Sequence, residues 1–180
     1  MSLRVGVLGL GFMGSTHVGA WQKVPQASLV AVCSSVEAKL QGDLRGISGN
    51  VAGASERHDF SHLKKYSRID QLLSDPDIDA VDICLPTYLH ADVARCALEA
   101  GKHVLVEKPL AISATAAAEL LDVYRRSGRI LMAAQVVRFF PQYGRLHDLL
   151  LSGRLGAVRS ATLRRRCAAP TWSEWLHAVE

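Results

Sequence analysis

The sequence predicts a doubly wound α/β fold built on a mostly parallel sheet. Three observations carry that prediction. Short runs rich in Val, Leu and Ile recur along residues 1–137, helical stretches separate most of them, and glycine or proline marks most junctions. Strands that alternate with helices imply crossover connections and therefore parallel neighbours. The strand runs read as apolar on both faces, as a sheet covered on both sides requires.

Residues 3–8 form a short apolar run halted by Gly9, which reads as a buried strand. A helix is expected over 12–23, where Met13, His17, Val18 and Trp21 fall on one face before Pro25 closes the stretch. Residues 29–33 are a second buried strand, followed by a short polar helix over 36–40. Residues 42–62 hold four glycines and show no firm period. Ser67 opens an S-x-x-D signature that predicts a capped short helix around Gln71, Leu72 and Leu73, ended by Asp75-Pro76. Then come a strand over 80–85, a helix over 91–100 closed by Gly101, and a strand over 104–107. Ser113 caps an alanine-rich helix that Arg125, Arg126 and Gly128 terminate. A strand over 130–136 completes the alternation.

Beyond residue 137 the character changes to an aromatic-rich turn over 138–143, a helix over 144–152 and a strand expected over 155–167. Residues 1–137 therefore read as one complete domain and 138–180 as the opening of a second, since 180 residues leave little room for two of ordinary size.

Composition narrows the class. With 49% hydrophobic and 21% charged residues the chain is globular rather than disordered. The apolar start lacks the basic flank and small-residue cleavage site of a signal peptide, and no other segment has the apolar length of a membrane span. Cys33, Cys84, Cys96 and Cys167 form no C-x-x-C pair, so buried, reduced thiols are expected, with no metal centre, in the cytoplasm. The net charge of +4 comes from residues 138–180, where seven arginines stand against Asp148, Glu174 and Glu180. Only Arg164, Arg165 and Arg166 are consecutive, and an extended strand would alternate their faces. Solvated charge explains them better than nucleic-acid binding, and neither nucleic acid nor membrane is an expected partner.

The segment Gly9-Leu10-Gly11-Phe12-Met13-Gly14 fits G-x-G-x-x-G directly after a strand and before a helix, the context a dinucleotide-binding turn needs. In that role Gly9 permits the tight turn, Gly11 lets the backbone approach a pyrophosphate, and Gly14 lets helix and strand pack closely. Amides at the helix start would receive the anion. This identifies the fold as Rossmann-type. An acid after the second strand would hold the ribose hydroxyls of NAD, but here the chain reads Cys33-Ser34-Ser35-Val36-Glu37-Ala38-Lys39. Ser34 and Ser35 offer hydroxyls to a 2′-phosphate and Lys39 could add charge, which favours NADP over NAD, although Glu37 argues the other way.

The glycine turn, the segment DAVDICLPTYLH over 79–90 and the segment AGKHVLVEKPLA over 100–111 together resemble the glucose-fructose oxidoreductase / inositol dehydrogenase / MocA (Gfo/Idh/MocA) family. The similarity extends to RFFP over 138–141 and SGRLG over 152–156, so it spans nearly the whole chain. The Glu107-Lys108-Pro109 triplet is its most specific piece. The resemblance implies hydride exchange between a nicotinamide cofactor and a secondary alcohol or ketone of a sugar or polyol. It also implies that Leu85, Pro86, Thr87 and His90 border the cofactor, that Glu107 approaches the nicotinamide ribose and that Lys108 faces the reacting oxygen as the catalytic residue. Thr87 departs from the more usual Asn.

A lysine at the carboxyl end of a central parallel strand points into the crevice where such folds bind ligands. His17 reads as a helix-face residue near the phosphates rather than a catalyst, and the bland role of His90 is to begin its helix. Full-length proteins resembling this one carry a later D-x-x-x-H motif whose histidine moves the proton, and pair through their second domains. Here Tyr143 and Ser173 stand four residues before His147 and His177, so the 180 residues are expected to bind cofactor and turn over poorly. A non-catalytic sensor of the same fold, docking onto a protein partner, is the alternative, and it leaves Lys108 without a task.

Overall fold

The computed structural model describes residues 2–47, 57–164 and 166. The chain divides into two units, Met1–Ala134 and Gln135–Glu180. The break thus falls slightly before the expected one after residue 137, because the last strand ends at Ala133 and a 3-10 turn over Val136–Phe139 follows.

In the first unit β1 (Leu3–Leu8), β2 (Ala27–Cys33), β3 (Lys64–Tyr66), β4 (Ala80–Ile83), β5 (His103–Val106) and β6 (Leu131–Ala133) make one sheet in the order β3-β2-β1-β4-β5-β6. Every neighbouring pair is parallel. The connections carry α1 (Phe12–Trp21), α2 (Glu37–Leu40), α3 (Ile69–Leu73), α4 (His90–Glu99) and α5 (Ala114–Ser127). This is the strand order of the dinucleotide-binding Rossmann fold, with its reversal between β1 and β4.

Alternating side chains feed two cores. Val7 and Val32 pack with Leu10, Val18, Leu40, Leu44, Phe60 and Leu63. Leu8, Ala31, Ile83, Val104 and Val106 pack with Leu72, Ala94, Ala97, Leu98 and Leu120 from α3, α4 and α5. Each fully buried leucine contributes about 1.5–3 kcal/mol relative to an exposed position. Gly6 belongs to this second layer, since a Cβ there would lie 3.2 Å from the Leu72 side chain.

Local signals differ in how they act. Ser113 Oγ accepts from the Ala116 amide and Gly128 takes φ 65° at the end of α5, as expected. Ser67 does not cap α3; the residue at that position is Arg68, whose side chain makes no capping bond, and buried Leu72 and Leu73 hold the helix instead. In the second unit α6 (Pro141–Leu151) starts on a proline, which suits a first helical turn. The strand expected over 155–167 is not formed within the described residues, where 158–164 adopt no regular structure. A strand exists only with a neighbour to accept its backbone bonds, and among the described residues this segment pairs with none. No helix among the described residues is long and apolar enough to cross a membrane.

The amino edge of the sheet is fastened by charge. The Arg4 guanidinium donates to both Asp79 oxygens, at 3.0 and 2.8 Å, and to Asp77 at 3.1 Å. The Arg4 side chain and amide hold the Asp79 carboxyl down at about 2. A depressed carboxyl stabilises the fold above its unfolded value near 3.9, and that contribution drains away as pH falls toward the folded value. Urea midpoints are therefore expected to drop between about pH 4 and 2, and Asp79→Asn to flatten part of that drop. An unchanged profile in Asp79→Asn would remove this bridge from the account of acid stability.

Candidate dinucleotide site at the carboxyl edge of the sheet

The parallel register delivers the residues singled out from the sequence to one edge. Leu8 pairs with Ile83, and Ile83 with Val106, so Gly9, Cys84 and Glu107 leave neighbouring strands side by side. Backbone bonds lace the edge together: Gly9 N–H donates to Cys33 O at 2.9 Å, Cys84 N–H to Leu8 O at 2.8 Å and Glu107 N–H to Ile83 O at 2.9 Å. The edge includes the β1/β4 reversal, where open parallel sheets bind their ligands.

The glycine turn is required sterically. Gly9 has φ +92°, and a Cβ there would lie 2.6 Å from Cys84 O. At Gly14 it would lie 1.8 Å from Gly9 O, so only hydrogen fits where α1 crosses the end of β1. At Gly11, the residue before α1, a Cβ would meet nothing within 4 Å. A side chain at Gly11 would therefore meet open space rather than protein. Leu10 is buried in the core, so that position can offer a ligand only its backbone, while Phe12 and Met13 are half-buried. The opening N–H groups of any helix lack partners inside it, which suits an anion there.

At the end of β2 the Ser34 amide donates to Tyr66 O at 3.0 Å, and Ser34 Oγ accepts from the Val36 amide at 3.1 Å. Ser35 is exposed and Lys39 half-buried in the last turn of α2. Glu37 is drawn onto its own helix by Gln41 Nε2 at 2.8 Å.

Beyond β4, Leu85 and Pro86 lead into a 3-10 turn over Thr87–Leu89. His90 begins α4 and is 1% exposed, and its two ring nitrogens lie 2.7 Å from Pro109 O and 2.7 Å from Leu85 O. The ring thus braces the 85–87 turn against the Glu107-Lys108-Pro109 turn, shaping both from behind. The Lys108–Pro109 peptide is cis, Lys108 is exposed and Glu107 is buried.

The most concentrated polar group at this edge is one the sequence did not disclose. Asp82, read from the sequence as part of an apolar strand, is completely buried in β4. It accepts from Trp21 Nε1 at 2.6 Å and from His17 Nδ1 at 2.8 Å, and the Cys84 thiol lies 3.6 Å from its other oxygen. His17 Nε2 lies 3.2 Å from Glu107 Oε1, and Glu107 Oε2 accepts from the Lys108 amide at 3.0 Å. Burial opposes charge on His17, but the hydrogen bonds to Asp82, Cys84 and Glu107 outweigh it and push the imidazole up to about 12. Burial would raise Glu107; its bond and attraction to His17 win, and the carboxyl is held below its usual range. His17 thus lies between two acids, Asp82 and Glu107, whose hydrogen bonds favour its charged form.

The His17, Asp82 and Cys84 donor atoms lie within 4.8 Å of one another, close enough to raise a metal site. Burial pushes the Cys84 thiol up to about 12, and hydrogen bonds join the three side chains to one another. Cys33 is buried, Cys84 half-buried and Cys96 exposed, all as free thiols; Cys167 lies outside the described residues.

A sheet of this order, with a sterically required glycine turn after β1 at the β1/β4 reversal and Glu107 and Lys108 past the end of β5, has the layout of a dinucleotide-binding domain. Residues 3–135 match the Gfo/Idh/MocA group, described as an oxidoreductase family with an NAD-binding Rossmann fold, and the chain belongs to that family. It is 32% identical over 162 residues to levoglucosan dehydrogenase of Pseudarthrobacter phenanthrenivorans, covering 88% of this chain and 40% of that one. It is 29% identical over 158 residues to inositol 2-dehydrogenase of Salmonella typhimurium, covering 87% and 44%. Scyllo-inositol dehydrogenase of Lactobacillus casei, solved with bound NAD(H) and scyllo-inositol, superposes with TM-score 0.75 at 26% identity over 87% of this chain and 43% of that one. The chain spans less than half the length of each of these relatives.

Proposed function

We propose that this chain grips a nicotinamide dinucleotide along the carboxyl edge of its sheet and forms the cofactor half of an enzyme. In the whole protein, hydride passes between the nicotinamide and a secondary alcohol or ketone of a sugar or polyol. The single observation that supports this reading is that the glycine turn after β1 and the Glu107-Lys108 pair after β5 leave the same carboxyl edge of the sheet, on either side of β4.

Backbone amides of Gly11, Phe12, Met13 and Gly14 take the pyrophosphate, with Gly9 setting the turn and Leu10 contributing backbone alone. Leu85, Pro86 and Thr87 border the cofactor, His90 holds their turn, and the Glu107 carboxylate receives the nicotinamide ribose. Bound nicotinamide supplies the hydride donor or acceptor. The Lys108 ammonium faces the reacting oxygen and stabilises the negative charge that develops there. Neither His147 nor His177 follows an aspartate by four residues, and losing a positioned proton-transfer group costs about 100- to 10,000-fold. The 180 residues alone are therefore expected to bind without efficient turnover. Relatives act on inositols and levoglucosan, which supports a polyol or sugar substrate. The enzyme works as a homo-oligomer in the cytoplasm, where free thiols stay reduced.

Ser34, Ser35 and Lys39, with Glu37 turned onto Gln41, favour NADP over NAD. Fluorescence titration is expected to show NADPH binding about tenfold more tightly than NADH, the effect of one well-placed charge. Equal affinities, or tighter NADH, would reverse the preference; no binding of either would end the dinucleotide reading.

A further inference from the structure

We propose that His17 is a positioning residue: its ring ties helix α1 to the ends of β4 and β5, and so fixes the Glu107 carboxylate and the Lys108 backbone at the mouth of the site. This rests on the reading that the edge binds a nicotinamide dinucleotide, and it adds a coupling between the phosphate end and the ribose end of that site.

The argument begins with donors and acceptors. A neutral imidazole carries one N–H, yet His17 faces a carboxylate from each nitrogen, Asp82 at 2.8 Å and Glu107 at 3.2 Å. Carboxylates that accept cannot also supply the missing hydrogen, so only the doubly protonated ring satisfies both. Asp82 is the fixed end of the bridge, because it is fully buried and also takes the Trp21 N–H at 2.6 Å. Trp21 is one helical turn beyond His17, so two side chains of α1 converge on a single acid of β4. Glu107 is the functional end: one oxygen faces His17 and the other accepts from the Lys108 amide at 3.0 Å. The same helix that offers its amides to phosphate thereby sets where the next strand presents acid and ammonium. Both ring nitrogens are engaged and the side chain is only 16% exposed, which leaves the imidazole nothing with which to move a substrate proton.

The consequence is specific to charge. Among the described residues the titratable groups facing Glu107 are His17 on α1, Cys84 just past β4, the neighbouring Lys108, and Asp82 through the His17 ring. Removing the imidazolium leaves Glu107 buried without its main counter-charge, and burial then favours the neutral acid. A neutral Glu107 accepts a ribose hydroxyl more weakly than the carboxylate does.

NADH is the probe, because it lacks the 2′-phosphate that would itself titrate near pH 6. Wild-type affinity is expected to stay flat from pH 6 to 9, whereas His17→Gln should bind about tenfold more weakly at pH 6 than at pH 9. Adding Glu107→Gln to that variant should erase the slope. A merely structural role for His17 predicts one loss, equal at every pH. In ¹⁵N-histidine spectra of the wild type, the His17 ring should remain doubly protonated throughout the range. Should His17→Gln fail to fold, Asp82→Asn keeps the shape of the anchor, and its His17 ring should begin to lose a proton within the range. A flat His17→Gln profile beside normal wild-type binding, or a wild-type His17 ring that titrates near pH 6 to 7, overturns this proposal alone. A folded wild-type protein that binds neither NADH nor NADPH overturns the dinucleotide reading and this proposal with it.

Discussion

Gly14→Ala is expected to destroy both the glycine turn and cofactor binding. The added Cβ would lie 1.8 Å from Gly9 O and 2.9 Å from Gly9 C, and both are backbone atoms that cannot swing aside. Gly9 in turn is bonded to Cys33 O, so α1 must lift away from β1 as a body. Overpacking of this kind costs about 1–3 kcal/mol where a core can adjust and more where it cannot, and here the upper end or beyond is expected. Gly11→Ala supplies the contrast. Its Cβ meets no protein atom within 4 Å, so thermal unfolding should be nearly unchanged while the methyl blocks the close approach of a pyrophosphate. Thermal melts and NADPH titrations of the two variants check the pair. Tight binding by Gly11→Ala would remove the turn from the cofactor site.

Lys108→Met should separate chemistry from binding. The side chain keeps an apolar stem of similar length and loses only the ammonium, which is exposed at the end of β5. In a preparation competent for polyol oxidation, kcat should fall by about 100- to 1,000-fold, the usual effect of deleting one donor that stabilises developing charge. Cofactor affinity should change little, because Glu107 and the glycine turn remain. A variant that retains most of its turnover would show that Lys108 does not face the reacting oxygen.

The parts of this fold legible in the sequence are those decided locally. A valine-rich run stopped by Gly9, the Ser113 cap and the Gly128 terminus each depend on neighbours within a few residues, and each stands where expected. The glycine turn was legible for the same reason, since its spacing encodes its own sterics. The His17 bridge was not, because its acids lie 65 and 90 residues away and no periodicity connects them. A hint existed in the lone aspartate of the V-D-I-C run and in His17 and Trp21 at four-residue spacing, but only the parallel register shows that they meet. Cys96 was expected inside and lies exposed on α4, whereas the Val93, Ala94 and Ala97 face is buried. The strand expected over 155–167 is absent from the described residues 155–164 for the opposite reason to the bridge: its apolar residues suit a strand, but pairing is not a property of one segment. The glycine-rich stretch within 42–62 was unreadable by period, and residues 48–56 lie outside the described residues.

Amide chemical-shift mapping tests the central claim most directly, because it reports both that the dinucleotide binds and where. On addition of NADPH to the ¹⁵N-labelled chain, the amides of Gly11, Met13, Gly14, Glu107 and Lys108 should shift together and saturate at one equivalent. Amides at the opposite edge, around Gly101 and Arg129, should stay in place. A well-dispersed spectrum that does not change, or changes only at that opposite edge, would contradict the account.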